Sequence, residues 1–113
     1  MDRNTVLIFS RNGMGDAPQE LQRNLITKFF ALILESGELP AKVVFYTEGV
    51  KLCCTGSPIL DPLNMMDAQG VELVLCSTCL SFFGLDEQVK IGIVGGMGDI
   101  LTAVQMAPKV ISL

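Results

Sequence analysis

Glu72-Leu73-Val74-Leu75-Cys76-Ser77-Thr78-Cys79-Leu80 is the stretch from which the rest of the chain is read. The apolar run ending at Leu75 reads as a strand buried on both faces, as in a parallel sheet. Cys76 ends the strand. Ser77 and Thr78 suit a helix N-cap, and Leu80-Ser81-Phe82-Phe83 before Gly84 reads as a short helix. Both thiols of this Cys-x-x-Cys pair are therefore expected at the carboxyl end of a strand, the edge where open α/β sheets bind ligands. A helix N-terminus favours negative charge. The expectation is thus a lowered thiol pKa and a thiolate able to attack sulfur.

Outward from this stretch, strands and helices alternate. Thr5 to Ser10, Ala41 to Tyr46, Val71 to Leu75, Val89 to Val94 and Lys109 to Leu113 are β-branched and apolar, and predict five strands. Leu21, Leu25, Ile26, Phe29, Phe30, Ile33 and Leu34 recur at helical steps between Glu20 and Glu35. Asp16 and Pro18 mark the start of that helix, and Gly37 lies just past its end. Val50 to Cys54 suggests a helical turn, Ile59 to Gln69 a helix, and Ile100 to Met106 a last helix with Asp99 as its N-cap. This pattern predicts an α/β fold, a three-layer α/β/α sandwich on a mainly parallel five-stranded sheet, as one domain over residues 1–113. The loops holding Gly13 and Gly15, Glu48 and Gly49, Cys76 to Cys79, and Gly96 and Met97 should then share one edge.

Composition removes several classes of function. Eight basic residues against 12 acidic ones, scattered and without Trp, argue against nucleic-acid binding. No apolar run reaches the roughly 18–20 residues of a membrane span, and the N-terminus lacks a signal-peptide cleavage pattern, so a cytoplasmic protein is expected. Histidine is absent, which removes imidazole-assisted thiol or hydroxyl catalysis and His-ligated metal sites. Four cysteines in such a chain suggest reduced thiols. At 50% hydrophobic residues, part of the exterior is expected to lie between subunits.

Each motif also has a plainer reading. Cys53-Cys54 is a poor chelate, because adjacent side chains diverge, and reads as packing; no metal or other cofactor is expected. Gly95-Gly96-Met97-Gly98 could cradle a phosphate, yet it matches neither G-x-G-x-x-G nor a P-loop, and reads more simply as a tight turn. Gly13-Met14-Gly15 is similar. Met97 suits core or interface filling, and Glu48 is a strand-end acid that is either solvated or lines the pocket. The Cys76 and Cys79 spacing alone fits a redox pair, half a metal site or coincidence, and its plainest reading is two inert core cysteines.

Phe45-Tyr46-Thr47-Glu48-Gly49-Val50-Lys51-Leu52, Gly56-Ser57, Gly70-Val71-Glu72-Leu73, Cys76-Ser77-Thr78-Cys79-Leu80 and Gly84-Leu85 together carry a resemblance. The chain resembles the DsrE/DsrF-like superfamily, and within it the carboxyl-terminal domain of YedF-like, sulfurtransferase-like proteins linked to selenium metabolism. It departs from those relatives at Ser77, where glycine is expected, and at Cys53 and Cys54. The resemblance implies a five-stranded α/β sandwich assembled as a homo- or hetero-oligomer, and a homo-oligomer, a dimer or trimer, is expected here. It also implies a persulfide on Cys76 and a sulfur-carrier partner supplied in trans; the sulfur-relay members often lack a second cysteine three residues on, and Cys79 is read here as resolving or sharing the sulfur. Gly13, Gly15, Glu48, Gly49, Ser77, Thr78, Gly96 and Met97 are the expected binding residues. The function expected is relay of sulfane sulfur to a partner thiol. A non-catalytic oligomeric ligand-binding module and a dithiol redox protein are the alternatives.

Overall fold

Short apolar runs bounded by glycine and proline leave the chain little choice but to stack strands and cover them with helices. The computed structural model describes residues 1–113 and runs β1 (Thr5–Phe9), α1 (Gln19–Ser36), β2 (Lys42–Phe45), a 3-10 helix (Thr47–Cys53), α2 (Leu60–Ala68), β3 (Glu72–Cys76), α3 (Ser77–Phe82), β4 (Ile93–Gly95), α4 (Met97–Met106) and β5 (Lys109–Ser112). The strand order is β4-β3-β2-β1-β5, and every pair is parallel. From β1 to β4 the chain steps one strand at a time in one direction, then returns across the sheet to β5. Right-handed crossovers therefore put α1 and α2 on one face and α4 on the other.

Side chains confirm the two faces. Phe9 lies 6.0 Å from Phe45, ring centre to ring centre, and 5.5 Å from Phe30 of α1. Leu7, Val43, Leu73 and Leu75 join them beneath Ile26, Leu63 and Met66 in the buried core. Val6, Lys42 and Val74 point the other way, towards Thr102 of α4. No helix is long and apolar enough to cross a membrane.

One close approach fixes how the sheet edge is dressed. A Cβ on Gly49 would lie 2.0 Å from the Phe9 carbonyl oxygen, so only glycine lets the 3-10 helix settle onto the end of β1. Tyr46 N–H donates to that same carbonyl at 3.2 Å.

Some sequence-derived boundaries are corrected. The fourth strand is only Ile93–Gly95, not Val89 to Val94. Val89 instead forms an antiparallel bridge with Cys54, and Gly92, at φ +99°, kinks the chain between the two pairings. Pro18, not Asp16, stands before α1. Helix α3 begins at Ser77 with Cys76 in the N-cap position, so neither Ser77 nor Thr78 caps it. Asp99 is the third residue of α4 rather than its cap, and its carboxylate accepts the Gly96 N–H at 2.8 Å.

Gly49→Ala is expected to destabilise the chain by about 3 kcal/mol or more, the upper range for forcing atoms into a packed contact. The urea midpoint measures this, and an unchanged midpoint would show that the 3-10 helix can back away from β1.

Candidate functional site

β2 and β3 are neighbours, so the segments leaving the two strands meet at the carboxyl edge. Past β2 come Tyr46 and then Thr47, the first residue of the 3-10 helix; Cys76 is the last residue of β3, and the first turn of α3 follows it. Cys76 is 1% exposed and belongs to the core. Cys79, one turn on, is partly exposed, and its Sγ accepts a hydrogen bond from the Thr47 backbone N–H at 3.0 Å. The Cys76 thiol is the one titratable neighbour that acts on Cys79. Both thiols lie at the carboxyl edge, but β3 carries Cys76 under the helix, and Cys79 is the sulfur at the surface.

Thr47 has φ +49° and is the only non-glycine residue with positive φ. For a residue with a Cβ this conformation costs roughly 1–2 kcal/mol. Its hydroxyl lies 2.6 Å from the Ser10 carbonyl and 2.7 Å from the Tyr46 carbonyl, and shares its proton between them. The end of β1, the turn after β2 and the Cys79 sulfur are thereby tied together through one residue. Thr47 is not among the residues expected to bind. The available signal was its place two residues past β2, beside the strand that delivers the cysteines.

The electrostatics differ from expectation. Burial pushes the Cys79 thiol above its ordinary pKa, the neighbouring Cys76 thiol adds to this, and the Thr47 N–H opposes both. Helix α3 has six residues, too short for its dipole to outweigh desolvation. The predicted lowering of the thiol pKa is therefore corrected at Cys79.

Thr47, Thr78, Cys79, Phe82 and Phe83 line an open, apolar hollow of about 260 Å³. Phe82 is 83% exposed and stands edge-on to Phe83, 5.3 Å away. Lys51 sits 4.6 Å from the centre of the Phe83 ring and pairs with Glu48. Glu48 thus flanks the hollow through Lys51 and does not line it.

The other predicted binding residues are spread along the same edge. Ser77 and Thr78 fill the first turn of α3, and Thr78 reaches the hollow. Gly49 is buried against Phe9. The Gly13–Gly15 loop folds back on α1, with Met14 N–H donating to Gln22 O and Gln22 Nε2 to Gly15 O. Gly96 N–H is already engaged by Asp99, and Met97 is an exposed residue of α4. No single cavity collects them. Cys53 and Cys54 are buried; desolvation raises the pKa of both, and the Cys54 thiol donates to Val50 O. No group of three His, Cys, Asp or Glu side chains comes together as a metal site.

Native-state alkylation is expected to mark Cys79 alone, with Cys53, Cys54 and Cys76 reacting only after unfolding. Because the Cys79 pKa is raised, its rate should keep climbing past the pH at which a free thiol is fully ionised. Peptide mass mapping across a pH series checks both, and preferential labelling of Cys76 would contradict the burial.

Comparison with known proteins places this geometry in a family. The DsrE/DsrF-like family model matches residues 13–113. A protein of unknown function, MTH1491 from Methanobacterium thermoautotrophicum, superposes with TM-score 0.69 at 20% identity, over 96% of this chain and 97% of its own. The ychN protein from E. coli gives 0.67 at 20% identity over 100% of both chains. BT1422 from Bacteroides thetaiotaomicron, of unknown function, gives 0.65 at 17% identity over 97% and 95%. At these identities the three share the fold. None of the curated proteins matches. The sheet order and the extent of the family match settle the assignment: the chain belongs to the DsrE/DsrF-like family.

Proposed function

We propose that the protein carries sulfane sulfur on the Cys76–Cys79 pair and relays it to a partner thiol, with Cys79 as the atom that meets the partner. One observation carries this: of four free thiols, only Cys79 borders a solvent-open hollow, and it does so with a backbone N–H against its sulfur. Family membership supports sulfur chemistry in general, and the geometry favours Cys79 over Cys76 as the outward thiol.

The Cys79 thiolate attacks the outer sulfur of a donor persulfide. The donor S–S bond breaks, the donor leaves as its thiolate, and Cys79 holds the persulfide. The sulfane sulfur keeps its oxidation state, so no cofactor is required. An acceptor thiolate then repeats the attack and restores the Cys79 thiolate. If no acceptor arrives, the Cys76 thiolate attacks the Cys79 sulfur. Hydrosulfide leaves, and a Cys76–Cys79 disulfide remains. The N–H of Thr47 stabilises the thiolate as attacker and as leaving group, a task that falls to the backbone in a chain without histidine. The exposed Phe82 ring offers an apolar rim for the cysteine-bearing segment of a sulfur-carrier protein in trans. A reducing, cytoplasmic setting suits four free thiols.

Incubation with a persulfide donor is expected to add one sulfur mass at Cys79. Cys79→Ser should abolish the adduct. Cys76→Ser should load normally and lose the hydrosulfide release. Intact-mass spectrometry without reductant decides it; equal loading of Cys79→Ser would overturn the assignment. The Cys-x-x-Cys spacing, with Cys76 close enough to raise the Cys79 pKa, also favours a second reading, a dithiol redox protein. That reading requires a clean disulfide with a defined reduction potential and no dependence on a sulfur donor.

The homo-oligomer is proposed through α4. Asp99 is its only charged residue, and that carboxylate is occupied by Gly96 N–H. Met97, Leu101 and Met106 are more than half exposed on its outer side, beside Ile93 on the edge strand β4. A helix apolar on both sides needs a second cover, and a further copy of the chain supplies a matching surface. Wild-type protein should scatter light as an oligomer at micromolar concentration, and Met97→Glu with Leu101→Glu should give a folded monomer. A monomeric wild type would end this proposal.

A further inference from the structure

We infer that the Thr47 hydroxyl, by tying itself to the Ser10 carbonyl, holds the backbone turn whose N–H is aimed at the Cys79 sulfur, which makes Thr47 the positioning residue of the working thiol. Three independent features converge there. The first is the conformation: Thr47 sits at φ +49°, where a β-branched side chain does not settle unaided. The second is the hold: its Oγ1 lies 2.6 Å from Ser10 O, linking residues 37 positions apart at the ends of two neighbouring strands. The third is the target: its N–H reaches Cys79 Sγ at 3.0 Å, across 32 positions. A glycine would reach the same φ freely. Threonine at this place supplies a tether that glycine lacks, so the N–H is held ready before any sulfur arrives.

The surroundings leave few other groups for this task. On α3 and β3 the only titratable neighbour of Cys79 is Cys76, whose influence raises its pKa. On the 3-10 helix, Lys51 and Glu48 pair with each other, and Lys51 lies over Phe83. The backbone N–H of Thr47 is the one contact that stabilises the Cys79 anion over its neutral form. Rotating it away removes that contact and leaves Cys79 with no group that favours its anion.

This inference rests on the proposal that Cys79 is the working thiol, but its test uses no sulfur donor. Thr47→Val keeps shape and branching and removes the tether; Thr47→Ser keeps the tether. The pH dependence of iodoacetamide alkylation at Cys79 is the readout. The valine variant is expected to move the apparent pKa of Cys79 up by about one unit, and so to slow alkylation at neutral pH about tenfold through loss of thiolate. The serine variant should restore the wild-type profile. A valine profile that overlays the wild type overturns the inference, as does a serine variant that behaves like valine. Should the valine variant not fold, the wild-type chain decides. In an NMR pH titration the Thr47 amide proton must shift together with Cys79 ionisation, and an amide that ignores that transition overturns the inference. Failure of sulfur loading in the wild type, with the alkylation results intact, would sink the relay proposal and leave the positioning role standing.

Discussion

The missing side chain at residue 49 is the constraint on which the site depends. The turn after β2 can reach the Cys79 sulfur only if it first lies flat across the end of β1, and the Phe9 carbonyl leaves no space there for a Cβ. Once Gly49 seats the 3-10 helix, Thr47 is held between Ser10 on one side and Cys79 on the other. The parallel sheet supplies the rest: β1, β2 and β3 lie side by side and end at the same edge, so three loops distant in sequence become one surface.

On that surface, desolvation and hydrogen bonding act in opposite directions on one thiol. Apolar walls make Cys79 a poor anion, and the Thr47 N–H restores part of what burial takes away. A thiol kept near or above its ordinary pKa is mostly protonated at neutral pH, so it resists adventitious oxidation. Its thiolate, when formed, is the more nucleophilic for being the more basic. Such a balance suits a carrier that receives sulfur from a docked partner better than a scavenger that must react with whatever diffuses past. Cys76 fits the same logic. Buried behind Cys79, it is out of reach of the solvent but within reach of its neighbour.

Much of this was legible in the sequence because it derives from periodicity. The five apolar runs and the 3.6-residue pattern of α1 set the order of elements, and strand-to-helix junctions rich in glycine and cysteine marked the edge. The features that escaped depend on tertiary contacts. Val89 and Ile91 are as strand-like as Ile93, but pairing with Cys54 captures the first half of that segment and Gly92 divides it. Which of Cys76 and Cys79 reaches water depends on how the end of β3 and the first turn of α3 pack against the core, which no propensity resolves. Thr47 was invisible for a different reason. Threonine ordinarily avoids positive φ, so nothing in its identity signals a strained turn, and only the partners of its hydroxyl and N–H reveal one.

The two faces of the sheet also divide the work. Every group near Cys79 comes from β1, β2, β3 and the elements that come directly after β2 and β3; α4 contributes nothing to the hollow. The α4 side carries the exposed Met97, Leu101 and Met106, and two hollows beside it bounded by Lys42, which lies 3.6 Å from Glu72. Self-association through α4 would leave Phe82 and Cys79 uncovered, so each subunit of an assembly keeps its own thiol open to a partner. An assembly built instead over Phe82 would bury Cys79 and close the only cysteine that solvent reaches. A relay protein that oligomerises therefore has to do so away from α3, and the apolar outer side of α4 is where this chain has left its charges out.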